Sequence, residues 1–73
     1  MEDKILEIIN SIRESKGLTP KDNLSSDDNL RDDLELTSFD LAELTVKIED
    51  VYDIDIFEDG LVSTVGEILE KLK

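Results

Sequence analysis

Ser38 is the hydroxyl whose position most suggests chemistry. It follows a stretch rich in Ser, Asp and Asn, and sits one residue beyond Thr37, where apolar residues begin to recur at helical spacing. A hydroxyl there lies among the unsatisfied N–H groups and partial positive charge of a helix N-terminus, which favour a phosphate attached to it. Serine is also an ordinary first residue of a helix, so position alone leaves both readings open. Carboxylates are the other abundant reactive groups. Pairs such as Asp32–Asp33 and Glu49–Asp50 could act as acid and base. With 20 acids among 73 residues, however, such pairs arise without any chemistry, and a solvated surface is the plainer reading. Calcium loops fail on register. An EF-hand needs oxygen ligands at positions 1, 3 and 5, Gly at 6 and Glu at 12. Counting from Asp27 puts Arg31 at position 5, Asp32 at 6 and Ser38 at 12; counting from Asp53 puts Phe57 at 5 and Glu58 at 6. No dedicated metal site is expected, only weak surface binding of divalent ions.

What is missing narrows the chemistry further. The chain has no cysteine and no histidine, which removes disulfides, thiolate nucleophiles, the commonest zinc ligand and every Ser-His arrangement. A chain of this length buries about 60% of the surface its unfolded form exposes, too little to wall a large catalytic cavity. An independent enzyme is not expected. The 8 basic and 20 acidic residues leave a net charge of −12, which repels a phosphate backbone and argues against a nucleic-acid binder. The same charge steers in partners with basic patches, and salt or divalent cations are expected to stabilise the fold by screening its self-repulsion. No apolar run approaches the roughly 18 residues that span a membrane, and no basic-then-apolar leader opens the chain. The expectation is one domain over residues 1–73, cytoplasmic and monomeric, without membrane insertion.

The elements that must position Ser38 follow from periodicity. Ile5, Ile8, Ile9 and Ile12 fall at i, i+3, i+4 and i+7, with Leu6 widening the stripe, and predict a helix from Glu2 to Ser15 that stops near Gly17. Residues 17–36 hold the single proline and read as a long loop, pegged to the core by Leu24, Leu30, Leu34 and Leu36; its length points to function or to embedded turns. A second helix opens at Thr37, with Asp40 completing a variant capping box. Its buried face is Leu41, Leu44, Thr45, Ile48 and Tyr52, with Val51 at the edge; Phe39, Glu43, Val46 and Asp50 share the opposite, solvent-facing side. Asp53 to Ile56 alternates like a strand but has no partner strand, so it reads as a loop leading into a short helical turn around Glu58 to Val62. Thr64 caps a last helix, with Glu67 at the reciprocal box position, an apolar stripe of Val65, Ile68, Leu69 and Leu72, and Lys71 and Lys73 suiting its C-terminal dipole. The expected fold is all-α: a small four-helix bundle, three main helices plus one short one, with a long first loop.

The neighbourhood of Ser38 adds a family likeness. Asp32-Asp33-Leu34-Glu35-Leu36-Thr37-Ser38-Phe39, followed by a helix with Ala42-Glu43-Leu44, resembles the core segment of acyl carrier proteins, Asp-Asp-Leu-Gly-x-Asp-Ser-Leu and then Val-Glu-Leu. Ile48-Glu49-Asp50-Val51-Tyr52-Asp53-Ile54-Asp55-Ile56 is similar to that family's run of acids, aromatic and Ile-rich loop. Ser63-Thr64-Val65-Gly66-Glu67 resembles its Thr-Val-x-Asp/Glu start of the last helix. The likeness spans essentially the whole chain, of the discrete, stand-alone type. Departures are Thr37 for Asp, Phe39 for Leu, Glu35 for Gly, Phe57 for Pro, the positive charge of Lys47, and a segment between Ile56 and Val65 shorter by a residue or two.

The resemblance implies a carrier rather than a catalyst. A phosphopantetheinyl transferase would use Ser38 Oγ to attack the β-phosphate of coenzyme A, leaving 4′-phosphopantetheine on Ser38 as an O-(phosphopantetheine)serine. The arm would supply the thiol that a cysteine-free chain lacks, and an acyl group would ride on it as a thioester. The second helix would be the recognition surface. Phe39 and Val46 would bury apolar area on partner enzymes, Glu43 and Asp50 would meet basic patches, and Lys47 would exclude partners that expect an acid there. Fatty acid or polyketide synthesis is the implied setting. An aminoacyl carrier, for D-alanine or a peptide synthetase, is the alternative cargo, and an unmodified acidic helical adaptor the alternative function.

Overall fold

The isoleucine stripe builds the first element as its spacing predicts: helix α1 runs Glu2–Ser15, with Ile5, Ile8, Ile9 and Ile12 buried. Gly17 ends it at φ 81°, and Leu18 N donates to Arg13 O (2.9 Å) while Gly17 N donates to Glu14 O (3.0 Å). This pair of bonds is a Schellman motif, whose left-handed residue is cheapest as glycine. The computed structural model describes residues 2–58, 60 and 62–72, with side chains from Asp3 onward. Helix α2 spans Ser38–Tyr52 and α3 spans Val65–Lys71. No strand forms among the described residues, apart from one isolated antiparallel bridge between Asn29 and Thr64. None of these helices is long and apolar enough to cross a membrane.

One core joins the elements. Ile5, Ile9 and Ile12 of α1 meet Leu44 and Ile48 of α2 and Val65 and Ile68 of α3, with Leu72 just beyond, and all four loop leucines, Leu24, Leu30, Leu34 and Leu36, are buried pegs as expected. Ile56 and Val62, which the sequence pattern leaves unassigned, are also core residues.

The long loop is held by polar contacts along its whole length. Asn10 Nδ2 donates to Lys21 O (2.9 Å) and Asn10 Oδ1 accepts from Lys21 N (2.8 Å). Buried Arg13 donates to Thr19 O (3.2 and 2.9 Å) and Leu34 O (2.6 Å). At the far side Leu30 N reaches Ser63 O, Val65 N reaches Asp28 O and Gly66 N reaches Ser26 O (2.9, 3.0 and 2.9 Å). A Cβ on Gly66 would stand 2.9 Å from Ser26 O, so glycine is what allows the loop this close to α3.

Two expectations need correction. The short fourth helix around Glu58 to Val62 is not formed among the described residues. Asp59 and Leu61 lie outside them, and residues 56–58 make turns closed by Glu58 N to Asp55 O (3.2 Å) and Gly60 N to Phe57 O (3.1 Å). Asp55 Oδ1 also accepts from Phe57 N (2.9 Å), an Asx turn that competes with helix, and Gly60 at φ 138° leaves helical space altogether. Among the described residues the architecture is three helices, and the additional short one is not seen. The second correction concerns α3. Thr64 accepts from Glu67 N (3.3 Å) as expected, but Glu67 Oε1 reaches Ser63 N and the Thr64 hydroxyl (3.3 Å each) rather than Thr64 N. Lys71 stands in the last turn of α3 as expected, and Lys73 lies outside the described residues.

Candidate functional site

Ser38 is the first residue of α2, with an exposed side chain. Thr37 before it is extended (φ −86°, ψ 175°) and builds the full capping box: Thr37 N donates to Asp40 Oδ2 (2.8 Å) and Asp40 N to Thr37 Oγ1 (3.2 Å). The Thr37 hydroxyl donates to the same carboxylate oxygen (3.0 Å). Thr37 thus caps the helix where the family likeness has an aspartate.

Asp40 ties this box to α1. It is only 6% exposed and meets Lys16 Nζ at 2.6 Å, while Lys16 also donates to Glu35 O (2.6 Å). Burial works against its charge, but the Lys16 ammonium and the Thr37 N–H and hydroxyl outweigh it, holding the carboxyl below its ordinary value of 3.8. The chain reaches this point through Glu35 at φ 59°, a left-handed conformation that costs a non-glycine residue about 1–2 kcal/mol. This backbone explains why the resemblance has glycine at that place. Here the Lys16 bond to Glu35 O and the Arg13 guanidinium, 3.9 Å from the Glu35 carboxylate, brace it.

On its other side Ser38 faces a cation. The Arg31 guanidinium donates a hydrogen bond to Ser38 Oγ. Arg31 sits in a tight turn built by Asn29, whose Oδ1 accepts from Arg31 N and Asp32 N (2.9 Å each) and whose carbonyl accepts from Asp33 N (2.9 Å) and Leu34 N (3.1 Å). Asp33 Oδ2 closes the turn by accepting from Asn29 N (2.7 Å). Leu30 and Leu34 pin it to the core with no exposed surface. Arg31 and Ser38 share a groove of about 220 Å³ with Leu41, Ala42 and Phe57. A second groove, of about 160 Å³, shares Arg31, Leu41 and Phe57 and carries on past Leu30 and Val62.

The outward side of α2 is as its periodicity predicts at Phe39, Val46 and Asp50, with Glu43 less exposed than expected and one addition. Phe39 is 77% and Val46 67% exposed, and Asp50 is exposed beside Val46 in a shallow depression shared with Glu49, Val51 and Asp53. Val51, 48% exposed, extends this apolar patch further than an edge position suggests. Glu43 is half-buried. Lys47 is half-buried too and lines a groove with Lys4, Glu7 and Ser11 of α1 and with Asp50 and Val51 of its own helix. Phe39, Glu43, Val46 and Asp50 therefore share a face, and Lys47 belongs to its α1 border.

Sequence reasoning missed Arg31, Phe57 and the Lys16–Asp40 link. Arg31 and Phe57 are visible in the sequence only as departures from an acidic loop and from an expected proline. An exposed hydroxyl, a guanidinium and the N–H groups of a 15-residue helix suit a phosphate ester, whose charge they would offset. The family model described as the phosphopantetheine attachment site matches residues 5–72. No curated protein and no solved structure matches the chain.

Proposed function

The chain belongs to the phosphopantetheine attachment site family, and on that footing we propose that it is a cytoplasmic carrier of acyl intermediates, with Ser38 as its attachment residue. Domains of this family take 4′-phosphopantetheine, are modified by phosphopantetheinyl transferases and act as carriers rather than catalysts. The observation that carries the choice of Ser38 is its exposed hydroxyl on the first turn of α2, between the Thr37–Asp40 box and the Arg31 guanidinium.

When bound, the arm supplies a terminal thiol on which acyl groups ride as thioesters. The chain's own residues do the rest. Thr37, Asp40 and Lys16 fix the start of α2, so the hydroxyl is presented from a rigid position rather than a loop. The first-turn N–H groups favour a phosphate at Ser38. Leu41, Ala42 and Phe57 beside it form an apolar wall, which supports an acyl cargo of the fatty acid or polyketide type over a charged aminoacyl one. Phe39 and Val46 offer partner enzymes apolar area, each contributing about 1.5–3 kcal/mol if fully covered. Glu43 and Asp50 steer basic patches toward that face, and Lys47 at its border disfavours partners that place a cation there.

The test is intact mass after incubation with coenzyme A, Mg²⁺ and a broad-specificity transferase, with Ser38→Ala alongside. A single phosphopantetheine adduct on the wild type, absent from the variant, is the expected result. Wild type that stays unmodified with several transferases would instead support an unmodified adaptor. Acyl and aminoacyl ligases presented to the modified protein then separate the cargo classes; loading by the aminoacyl ligase alone would overturn the acyl assignment.

A further inference from the structure

We infer that Arg31 anchors the phosphate of the arm, an inference that rests on Ser38 being the attachment residue. The chain has two arginines. Arg13 is buried and its three nitrogens are engaged by Thr19 O and Leu34 O. Arg31 is exposed, and among the described residues it makes no ion pair, although the chain holds 20 acids. Its one side-chain partner among them is Ser38 Oγ, which leaves most of its five donors available.

Placement makes this donor more than a surface charge. The Asn29 turn holds the Arg31 backbone, and Leu30 and Leu34 on either side of it anchor the turn in the core. The cation is therefore delivered to Ser38 by a rigid segment, and its groove partners Leu41, Ala42 and Phe57 limit water on one side. A guanidinium that reaches Ser38 Oγ also reaches a phosphorus bonded to that oxygen. A phosphodiester is a permanent anion, and adding it to a chain of net charge −12 is opposed by the whole molecule's field. Arg31 offsets that locally, and its planar fork can engage two phosphate oxygens at once, which an ammonium cannot. By holding the phosphate, Arg31 also restricts how the arm leaves Ser38.

The experiment compares wild type, Arg31→Lys, Arg31→Gln and Ser38→Ala, each treated to completion with excess transferase, coenzyme A and Mg²⁺. Intact mass scores the adduct, and phosphorus NMR of the modified proteins reads the phosphate at about 0.05 M and about 1 M salt, where the screening length is about 3 Å. The wild-type resonance is expected to move as salt is raised. Arg31→Gln should sit at the high-salt position under both conditions, with Arg31→Lys between them. The Arg31 Nε–H resonance should also shift between unmodified and modified wild type. If Arg31→Gln carries the adduct and its phosphorus resonance and salt response match wild type, the anchor is overturned while Ser38 stands. If wild type takes no adduct, the attachment reading falls and the anchor with it.

Discussion

Arg13 and Arg31 stand near the two ends of the long loop and put the same side chain to opposite uses. Arg13 is buried beneath the loop's start, where Thr19 O and Leu34 O would otherwise lose their partners. Arg31 rises from the loop's last turn into solvent, and its bond goes to a hydroxyl that the fold does not need. A guanidinium with every nitrogen committed to backbone carbonyls is part of the scaffold; one with spare donors beside a reactive oxygen is part of a site. Burial and partners make the difference, and residue type does not.

The largest expected effect breaks the first half of that comparison. Arg13→Gln should lower stability by about 3 kcal/mol, because the buried Leu34 O and the part-buried Thr19 O lose charge-assisted bonds and the Glu35 backbone loses a brace. Arg31→Gln should stay within about 0.5 kcal/mol of wild type. Equal melting curves for the two variants would dissolve the distinction. Next, Asp40→Asn should cost about 2 kcal/mol near neutral pH through its cap and its bond to Lys16. The folded carboxyl ionises below its unfolded value, so its contribution is complete above about pH 5 and fades as pH falls through the folded pKa. The gap between wild type and Asp40→Asn in thermal melts should therefore narrow below about pH 4; a pH-independent gap would mean the charge is not what stabilises. Gly66→Ala should cost about 1–2 kcal/mol by pushing Ser26 off α3, and a neutral result would show that the loop yields there freely. Phe39→Ala should be the mildest in stability, within about 0.5 kcal/mol, while slowing acyl transfer with partner enzymes. A large drop in melting temperature would place Phe39 in the scaffold rather than on the docking face.

Much of the fold is written in short-range terms. The bounds of α1, the Thr37 cap, the buried Leu44 and Ile48 and the exposed Phe39 and Val46 all follow from spacings of three and four residues. The short helix around Glu58 to Val62 is not formed among the described residues for an equally local reason: Asp55 closes an Asx turn onto Phe57 N, which composition alone does not reveal.

Local pattern was enough for α1, α2 and α3, for the place of Ser38 in its helix and for the face of α2 that meets solvent, because hydrogen bonds between near neighbours and a repeating apolar stripe set those features. What stands beside Ser38 depends instead on how the folded chain packs. Lys16 meets Asp40 across 24 residues, Arg13 meets Leu34 across 21, and Arg31 meets Ser38 across a seven-residue turn. No periodicity encodes such pairs. They form when the leucine pegs of the loop find the core, and the polar side chains between those pegs are carried to whichever partners the packing brings within reach.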